Sequence, residues 1–506
     1  MPERITLQQL DDHYDLIVIG GGITGAGIFR EAARRGVRVL LVEAADFASG
    51  TSSASSKLVH GGLRYLKNGD WRLTLESVRE RQRLLREAAG LVEPLPFLMP
   101  IHRDRRPGRW LMQIGLRIYD AMAGARRSFW LSAQQAVARE PVLRAGTLRG
   151  AMLYEDASTD DARLVLRLLL AGIADGGVAV NYVSAEPVSD SERVRGVRLR
   201  DDERGAVREI AARLVINATG AWADRLANAP PGAPTLRPLR GSHLVFASRS
   251  LPLAHAVTWL HPHDGRPIFA HPWEGAVVYG TTDLDHDDEL SSPRITAAEI
   301  DYLMVGLKAQ FPDLSLRAGD ALSSYAGVRP VVAGGHDDPS RESRESAMWA
   351  APGLIGITGG KLTTFRVTAN QVLQTAAAEL PQLLQGRGDG PLFETGMAPD
   401  RLGGRYGAAA TEIRAMPAVL QTTLADTPYR LAELIWSLRH EAIVHLDDLL
   451  LRRTRIGLVA ANGGVDLLPL LAEPACVALG WSETRWRQEC ERYRALWQQR
   501  HAPPAS

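Results

Sequence analysis

The sequence predicts an α/β fold, α+β over the whole chain, and three features predict it. A strand, a glycine turn, a helix and a second strand follow one another within residues 15–43. Strand-like runs recur far downstream with helical patterns between them, so a sheet opened at the N-terminus is completed by distant segments. The C-terminal stretch Ala410–Arg500 is helical in pattern, with repeated Leu and Trp.

Taken in order, Asp15–Gly20 (DLIVIG) is a short β-branched run of the kind found in buried parallel strands. A helix follows from about Gly22 to Arg35, closed by Gly36. Val37–Glu43 (VRVLLVE) is the second strand, which makes a βαβ unit. Later strands are Val178–Val183, Val194–Leu199, Arg213–Asn217, His243–Ala247 and Val277–Tyr279, and helical patterns cover Leu73–Ala88 and Asp161–Ala174. The Gly- and Pro-rich stretch Leu384–Pro399 has the composition of a linker, leaving a small helical domain beyond it.

Composition narrows the function classes. A chain of 506 residues with 45% hydrophobic and 23% charged residues has room for about three domains with sizeable cores. Its formal net charge is +1, so no global field recruits nucleic acid, and any anion must be met by local charge. The two cysteines, Cys476 and Cys490, form no disulfide framework and lack zinc-ligand spacing, which fits a reducing compartment and no metal site. Met1–Asp15 has no signal-peptide character, and no apolar run is long enough to span a membrane.

The segment Gly20-Gly21-Gly22-Ile23-Thr24-Gly25 fits G-x-G-x-x-G between strand and helix. Gly20 permits the tight turn, Gly22 lets backbone approach a pyrophosphate, and Gly25 lets the helix pack on the sheet. The helix N-terminus offers unpaired N–H groups to the phosphates. Glu43 ends the second strand at the distance expected of a carboxylate that binds a ribose. The bland alternative is a glycine-rich turn beside a surface glutamate.

Both FAD and NAD use this fingerprint. Three further stretches favour FAD. Phe47–Lys57 is rich in glycine and small hydroxyl residues, among them Thr51, Ser52 and Ser56, suited to wrapping a second nucleotide. Leu214–Trp222 is a strand ending in a turn at Gly220. Gly353–Thr364 is a strand, a glycine pair at Gly359-Gly360, then Lys361, Leu362, Thr363 and a helix start.

In these motifs and those that follow, the chain resembles the FAD-dependent glycerol-3-phosphate dehydrogenases. The resemblance runs from Tyr14 into the helical domain. It rests on YDLIVIGGG, on Ser55–Leu66 (SSKLVHGGLRYL), on Asn217–Trp222 (NATGAW), on Gly241-Ser242-His243, on Tyr279–Asp283 (YGTTD), on Gly327–Pro330 (GVRP) and on Gly359–Thr364 (GGKLTT).

The resemblance implies a glutathione-reductase-type FAD-binding domain built from residues 14–72, 150–240 and 320–380. It implies an inserted antiparallel-sheet substrate domain from 73–149 and 241–319, and a helical domain over 400–506. The implied reaction oxidises glycerol 3-phosphate to dihydroxyacetone phosphate, with hydride passing from C2 to the flavin and electrons onward to a membrane quinone. The protein would then be cytoplasmic, attached to the inner face of the membrane, and a homodimer. A glycerol-3-phosphate oxidase using oxygen remains open, as does an amine or amino-acid oxidase of the same fold; a flavin-carrying docking protein would need no convergent cations.

The site residues implied are His243, Arg329 and Lys361 for catalysis, and Arg64, Tyr65, Arg329, Arg344 and Lys361 for substrate. Arg344 is chosen over Arg341 on its spacing to Gly359, since SRE occurs at both. Cofactor contacts are implied at Gly20, Gly22, Gly25, Glu43, Thr51, Ser52, Ser56, Lys57, His60, Gly61, Val183, Gly220, Trp222, Gly360, Lys361, Leu362 and Thr363. The chemistry agrees, because guanidinium groups meet a phosphomonoester bidentately and a histidine titrates near working pH. For any single arginine the plain alternative is an ion pair.

One segment points elsewhere. His102–Arg127 has an apolar middle (Trp110, Leu111, Ile114, Leu116, Ile118, Met122) between Arg103, Arg105, Arg106, Arg109, Arg117, Arg126 and Arg127. Such a helix suits the headgroup plane of a membrane, although the same spacing also serves an ordinary core-facing helix.

Overall fold

A computed structural model describes residues 4–62, 70–103, 108–226, 233–335, 345–384, 390–394, 399–424 and 426–503. The first strand, His13–Ile19, buries both of its faces. Leu16 and Val18 join the core under the helices, while Ile17 and Ile19 join a second cluster on the opposite face. A strand covered on both sides has no place for polar side chains, which explains the unbroken apolar run.

This strand pairs in parallel with Val39–Val42 on one side and Val207–Asn217 on the other. Val178–Val180 extends the sheet beyond Val39–Val42, and Leu354–Thr358 extends it beyond Val207–Asn217. Antiparallel Ala347–Ala351 closes that end, and the Val183–Asp190 and Arg193–Asp201 hairpin is joined through Val207–Asn217. Helices Ile23–Ala33, Asp161–Ala174 and Phe365–Ala376 supply Phe29, Leu164, Leu168 and Phe365 to the core on one face.

The second sheet is almost entirely antiparallel. Its centre runs from Leu236–Ala247 through Ala276–Gly280, Pro267–Trp273 and Ala256–Leu260 to Val92–His102 and Leu148–Thr159. Ala256–Leu260 and Val92–His102 are its parallel neighbours. Helix Ala297–Gln310 covers one face with Leu303 and Leu307.

The expected domain borders shift here. Leu148–Thr159 pairs along its length with Val92–His102, and Ala321–Val332 pairs with Leu236–Ala247. The segments expected at 150–240 and 320–380 in the FAD-binding domain therefore each give a strand to the second sheet. The expected linker is also packed in part: Leu392 and Phe393 are buried in the main core, and Arg30 donates to the Leu392 carbonyl.

Helices from Arg401 to Arg500 form the third layer. Tyr429, Leu434 and Ile456 pack with Val245, Trp273, Val278 and Tyr325 of the second sheet. Buried charge ties the same layer to the nucleotide half. Arg453 and Arg452 hold Asp46, and Arg163 pairs with Glu441. The architecture is thus the expected one, with two sheets and a helical C-terminal domain.

Candidate active site

The fingerprint glycines occupy the positions their roles require. Gly20 has φ +112°, and a Cβ there would lie 2.5 Å from the Ala218 carbonyl oxygen. At Gly25 a Cβ would run into the Gly20 carbonyl, so helix and turn touch through bare backbone. Gly22 precedes the first helix residue, Ile23, whose N–H is accepted by Ser52 Oγ at 2.9 Å. Ser52 therefore sits at the helix N-terminus, where an anion would lie.

Glu43 accepts the Gly21 N–H at 2.6 Å and the Ala45 N–H at 2.9 Å. Each carboxylate oxygen keeps a lone pair for a ribose hydroxyl. Val183 lies beside it, its N–H donated to the Glu43 carbonyl at 2.9 Å. The two downstream turns adjoin, since Thr358 Oγ1 donates to the Gly220 carbonyl at 2.9 Å. Trp222 covers Gly50, where a Cβ would meet the indole at 3.2 Å. These residues fit an extended dinucleotide: an acid for a ribose, a helix N-terminus for a pyrophosphate, and two further glycine turns along the same sheet.

The segment Thr51–Gly61 connects the motifs. Thr51 Oγ1 donates to the Val328 carbonyl in GVRP. Ala54 lies against Gly327, where a Cβ would come within 2.7 Å of it. Ser56 Oγ is 2.9 Å from His243 Nε2. The His60 carbonyl accepts Thr363 Oγ1 at 3.4 Å, which brings HGG to GGKLTT. Gly61 donates its N–H to Tyr119 OH at 2.9 Å and to Asp156 Oδ1 at 3.2 Å.

His243 and Arg329 stand on adjoining strands of the second sheet. His243 pairs in register with Gly280 and Tyr325, and Arg329 with Leu239. The glycines of two motifs clear the space around them. A Cβ at Gly280 would lie 2.5 Å from the His243 ring, and one at Gly241 would lie 2.5 Å from Arg329 Nη2. His243 is 1% exposed and stacks on Tyr325 at 4.6 Å, with the rings 10° apart. Burial, with the nearby charges of Arg329 and Lys57, pushes its pKa well below the ordinary value, so the ring is neutral at pH 7. Its Nδ1 has no hydrogen-bond partner among the described residues.

Arg329 is oriented by Asp283 of YGTTD, 2.6 Å from Nη1, and by Thr281 Oγ1, 3.3 Å from Nη2. Lys361 follows the glycine pair at the start of the last helix of this half, with Thr363 buried and Leu362 packed on the core. Its charge reaches Glu76, whose carboxyl is raised by burial and drawn the other way by Lys361.

Lys57 is placed differently from expectation. Its ammonium is fully buried, 2.8 Å from Asp161 Oδ2 and 2.5 Å from the Ser53 carbonyl, so the side chain serves an internal ion pair. Burial pushes it down to about 8, with Asp161 opposing. Arg64, Tyr65, Arg341 and Arg344 lie outside the described residues.

The sequence reading passed over Tyr325, His271, Ser55 and Asp161. His271 Nε2 donates to the Ser56 carbonyl at 3.0 Å. Tyr325 had one available signal, its place two residues before Gly327 on the same strand as Arg329. Asp161 had none beyond the helix start, because its partners are remote in sequence.

Comparison with known proteins agrees with this geometry. Residues 15–366 match the family model "FAD dependent oxidoreductase", and residues 367–486 match "C-terminal domain of alpha-glycerophosphate oxidase". The aerobic glycerol-3-phosphate dehydrogenase of Staphylococcus haemolyticus is 34% identical over 484 residues, covering 88% of this chain and 87% of that protein. That of Bacillus subtilis is 37% identical over 387 residues, covering 75% and 70%. The crystal structure of the Bacillus halodurans glycerol-3-phosphate dehydrogenase complexed with FAD superposes with a TM-score of 0.77 at 28% identity, covering 97% of this chain and 95% of that one. By sequence and by fold alike, the chain belongs to the FAD-dependent oxidoreductases, in the family of the aerobic glycerol-3-phosphate dehydrogenases.

Proposed function

We propose that this chain oxidises sn-glycerol 3-phosphate to dihydroxyacetone phosphate and hands the electrons to a quinone. The observation that carries the reading is the meeting of a buried neutral His243 with Ser56 of the nucleotide half, beside an arginine held on the same sheet. Bound FAD supplies the two-electron acceptor for the hydride that leaves C2.

The chain's own residues do the rest. His243, neutral and with Nδ1 bare among the described residues, takes the proton of the C2 hydroxyl. Arg329, fixed by Asp283 and Thr281, presents its guanidinium to the phosphate, with Arg64, Tyr65 and Arg344 as further contacts. Lys361 and Arg329 favour negative charge developing on the C2 oxygen. An amino-acid oxidase would need one arginine for a carboxylate; a dianionic phosphate calls for this larger set.

A quinone acceptor implies contact with a membrane surface. Among the described residues no helix is long and apolar enough to cross a membrane. Helix Arg109–Ala123 instead exposes Trp110, Leu111 and Ile114 while burying Leu116 and Tyr119. An apolar outer face of this kind favours lying in the headgroup plane. The match of residues 367–486 to an oxidase domain keeps oxygen as a second acceptor. Turnover with glycerol 3-phosphate under nitrogen, with a short-chain quinone or with oxygen readmitted, separates the two. Faster reoxidation by quinone supports the proposal, and faster reoxidation by oxygen with hydrogen peroxide release overturns the acceptor assignment.

A further inference from the structure

We propose that Asp161 is a positioning residue for His243, acting through Ser55, Lys57, Tyr325 and Ser56. This rests on the reading of His243 as the base. Asp161 is fully buried in the first turn of helix Asp161–Ala174. It grips the Ser55–Lys57 segment on both sides of Ser56. Its Oδ2 accepts the Ser55 N–H at 3.0 Å and the Ser55 hydroxyl at 2.6 Å. The Lys57 ammonium lies 2.8 Å from the same oxygen. From the helical domain, Arg455 pairs with Oδ1 and pins the carboxylate from behind.

Ser56, held between those two anchors, points the opposite way and meets His243 Nε2 at 2.9 Å. The imidazole is fixed on its flat face as well. Tyr325 stacks on it, donates its hydroxyl to the Ser55 carbonyl at 2.9 Å, and carries the Lys57 ammonium 4.7 Å from its ring centre. Edge and face of the base are thus both referred to one carboxylate. When Nε2–H donates to Ser56 Oγ, the lone pair falls on Nδ1, the nitrogen left bare. A rigid Ser56 therefore fixes the edge of the ring. Buried ion pairs add little net stability over apolar side chains of the same volume, so stability alone does not account for this cluster.

The test uses the full-length holoenzyme and two variants that keep the Lys57–Asp161 pair, Tyr325→Phe and Ser55→Ala. The limiting rate of anaerobic flavin reduction by glycerol 3-phosphate is expected to fall about 10-fold in each, one hydrogen bond's worth. Substrate half-saturation, FAD affinity of the apoprotein by fluorescence titration, and melting temperature are expected to stay near wild type. Combined with Ser56→Ala, Ser55→Ala should lose no more than Ser56→Ala alone, since it acts through Ser56, whereas Tyr325→Phe acts on the ring face and should add its own loss. Asp161→Asn is expected to show the same split; if it does not fold, Ser55→Ala decides, which removes the 2.6 Å bond to Asp161 and the 3.1 Å bond that Ser55 Oγ accepts from the Lys57 N–H. Wild-type reduction rates, or a Ser55→Ala loss that multiplies with that of Ser56→Ala, overturn the proposal. His243→Asn separates the two claims: a slow His243→Asn beside fast Ser55→Ala and Tyr325→Phe sinks the positioning role alone, and a fast His243→Asn sinks the base.

Discussion

Replacing Arg329 by alanine has two separable consequences. The guanidinium is 24% exposed and tied to Asp283 at 2.6 Å. Its loss removes a charge-assisted contact to phosphate, which costs about 2–3 kcal/mol, or roughly 30- to 150-fold in kcat/KM. The phosphate is remote from the reacting carbon and is held alike in ground and transition states, so the loss should fall on KM. The second consequence is structural. Asp283, 8% exposed, loses this 2.6 Å contact, while Arg266 lies 3.9 Å away. A buried carboxylate so deprived costs about 1–3 kcal/mol of stability. Adding Asp283→Asn should restore the melting temperature and leave KM raised. Steady-state kinetics with a dye acceptor, and melts followed by flavin fluorescence, read the two effects independently. If KM stays within twofold of wild type while stability falls and recovers as described, Arg329 is an internal ion pair and its phosphate role is wrong.

Four further outcomes are expected. His243→Asn should slow flavin reduction by about two to four decades while FAD stays bound, read by anaerobic stopped flow. Burial holds His271 at about 4 against the ordinary 6.5, so the unfolded chain takes up the proton first as pH falls. Stability is then full above pH 6.5 and lost towards pH 4, by about 2 kcal/mol at pH 5 from this residue, and His271→Gln should flatten that stretch of the melting profile. The protein should float with anionic vesicles at low salt, less at high salt, and lose binding in Trp110→Ser/Leu111→Ser; flotation that is absent, or unchanged in the double variant, makes this helix ordinary surface. FAD should be released in full by acid precipitation, since neither cysteine is near the fingerprint, and colour kept in the pellet would point to a covalent link at His60.

The nucleotide half was legible because its signals are local. The run DLIVIG, the three glycines and Glu43 all lie within residues 15–43, and Gly20, Gly25 and Glu43 make the close backbone contacts their positions call for. The second sheet was harder to delimit, because its strands pair across long sequence distances; Leu148–Thr159 and Ala321–Val332 carry nothing that says which sheet they join. His243 and Arg329 could be named from their motifs. Their surroundings could not, as Ser56, Tyr325 and Asp161 approach from three different elements. Lys57 shows the limit most plainly: its loop reads as a cofactor wrap, yet the position of Asp161, 104 residues away, turns its side chain inward.

The central claim is tested most directly by adding glycerol 3-phosphate to the purified protein under nitrogen and following the flavin spectrum and the product together. Complete bleaching of the visible flavin bands, with one dihydroxyacetone phosphate formed for each flavin reduced, is the predicted result. Full-length protein that holds FAD but keeps its oxidised spectrum with glycerol 3-phosphate, and bleaches instead with an amine or an amino acid, would contradict it.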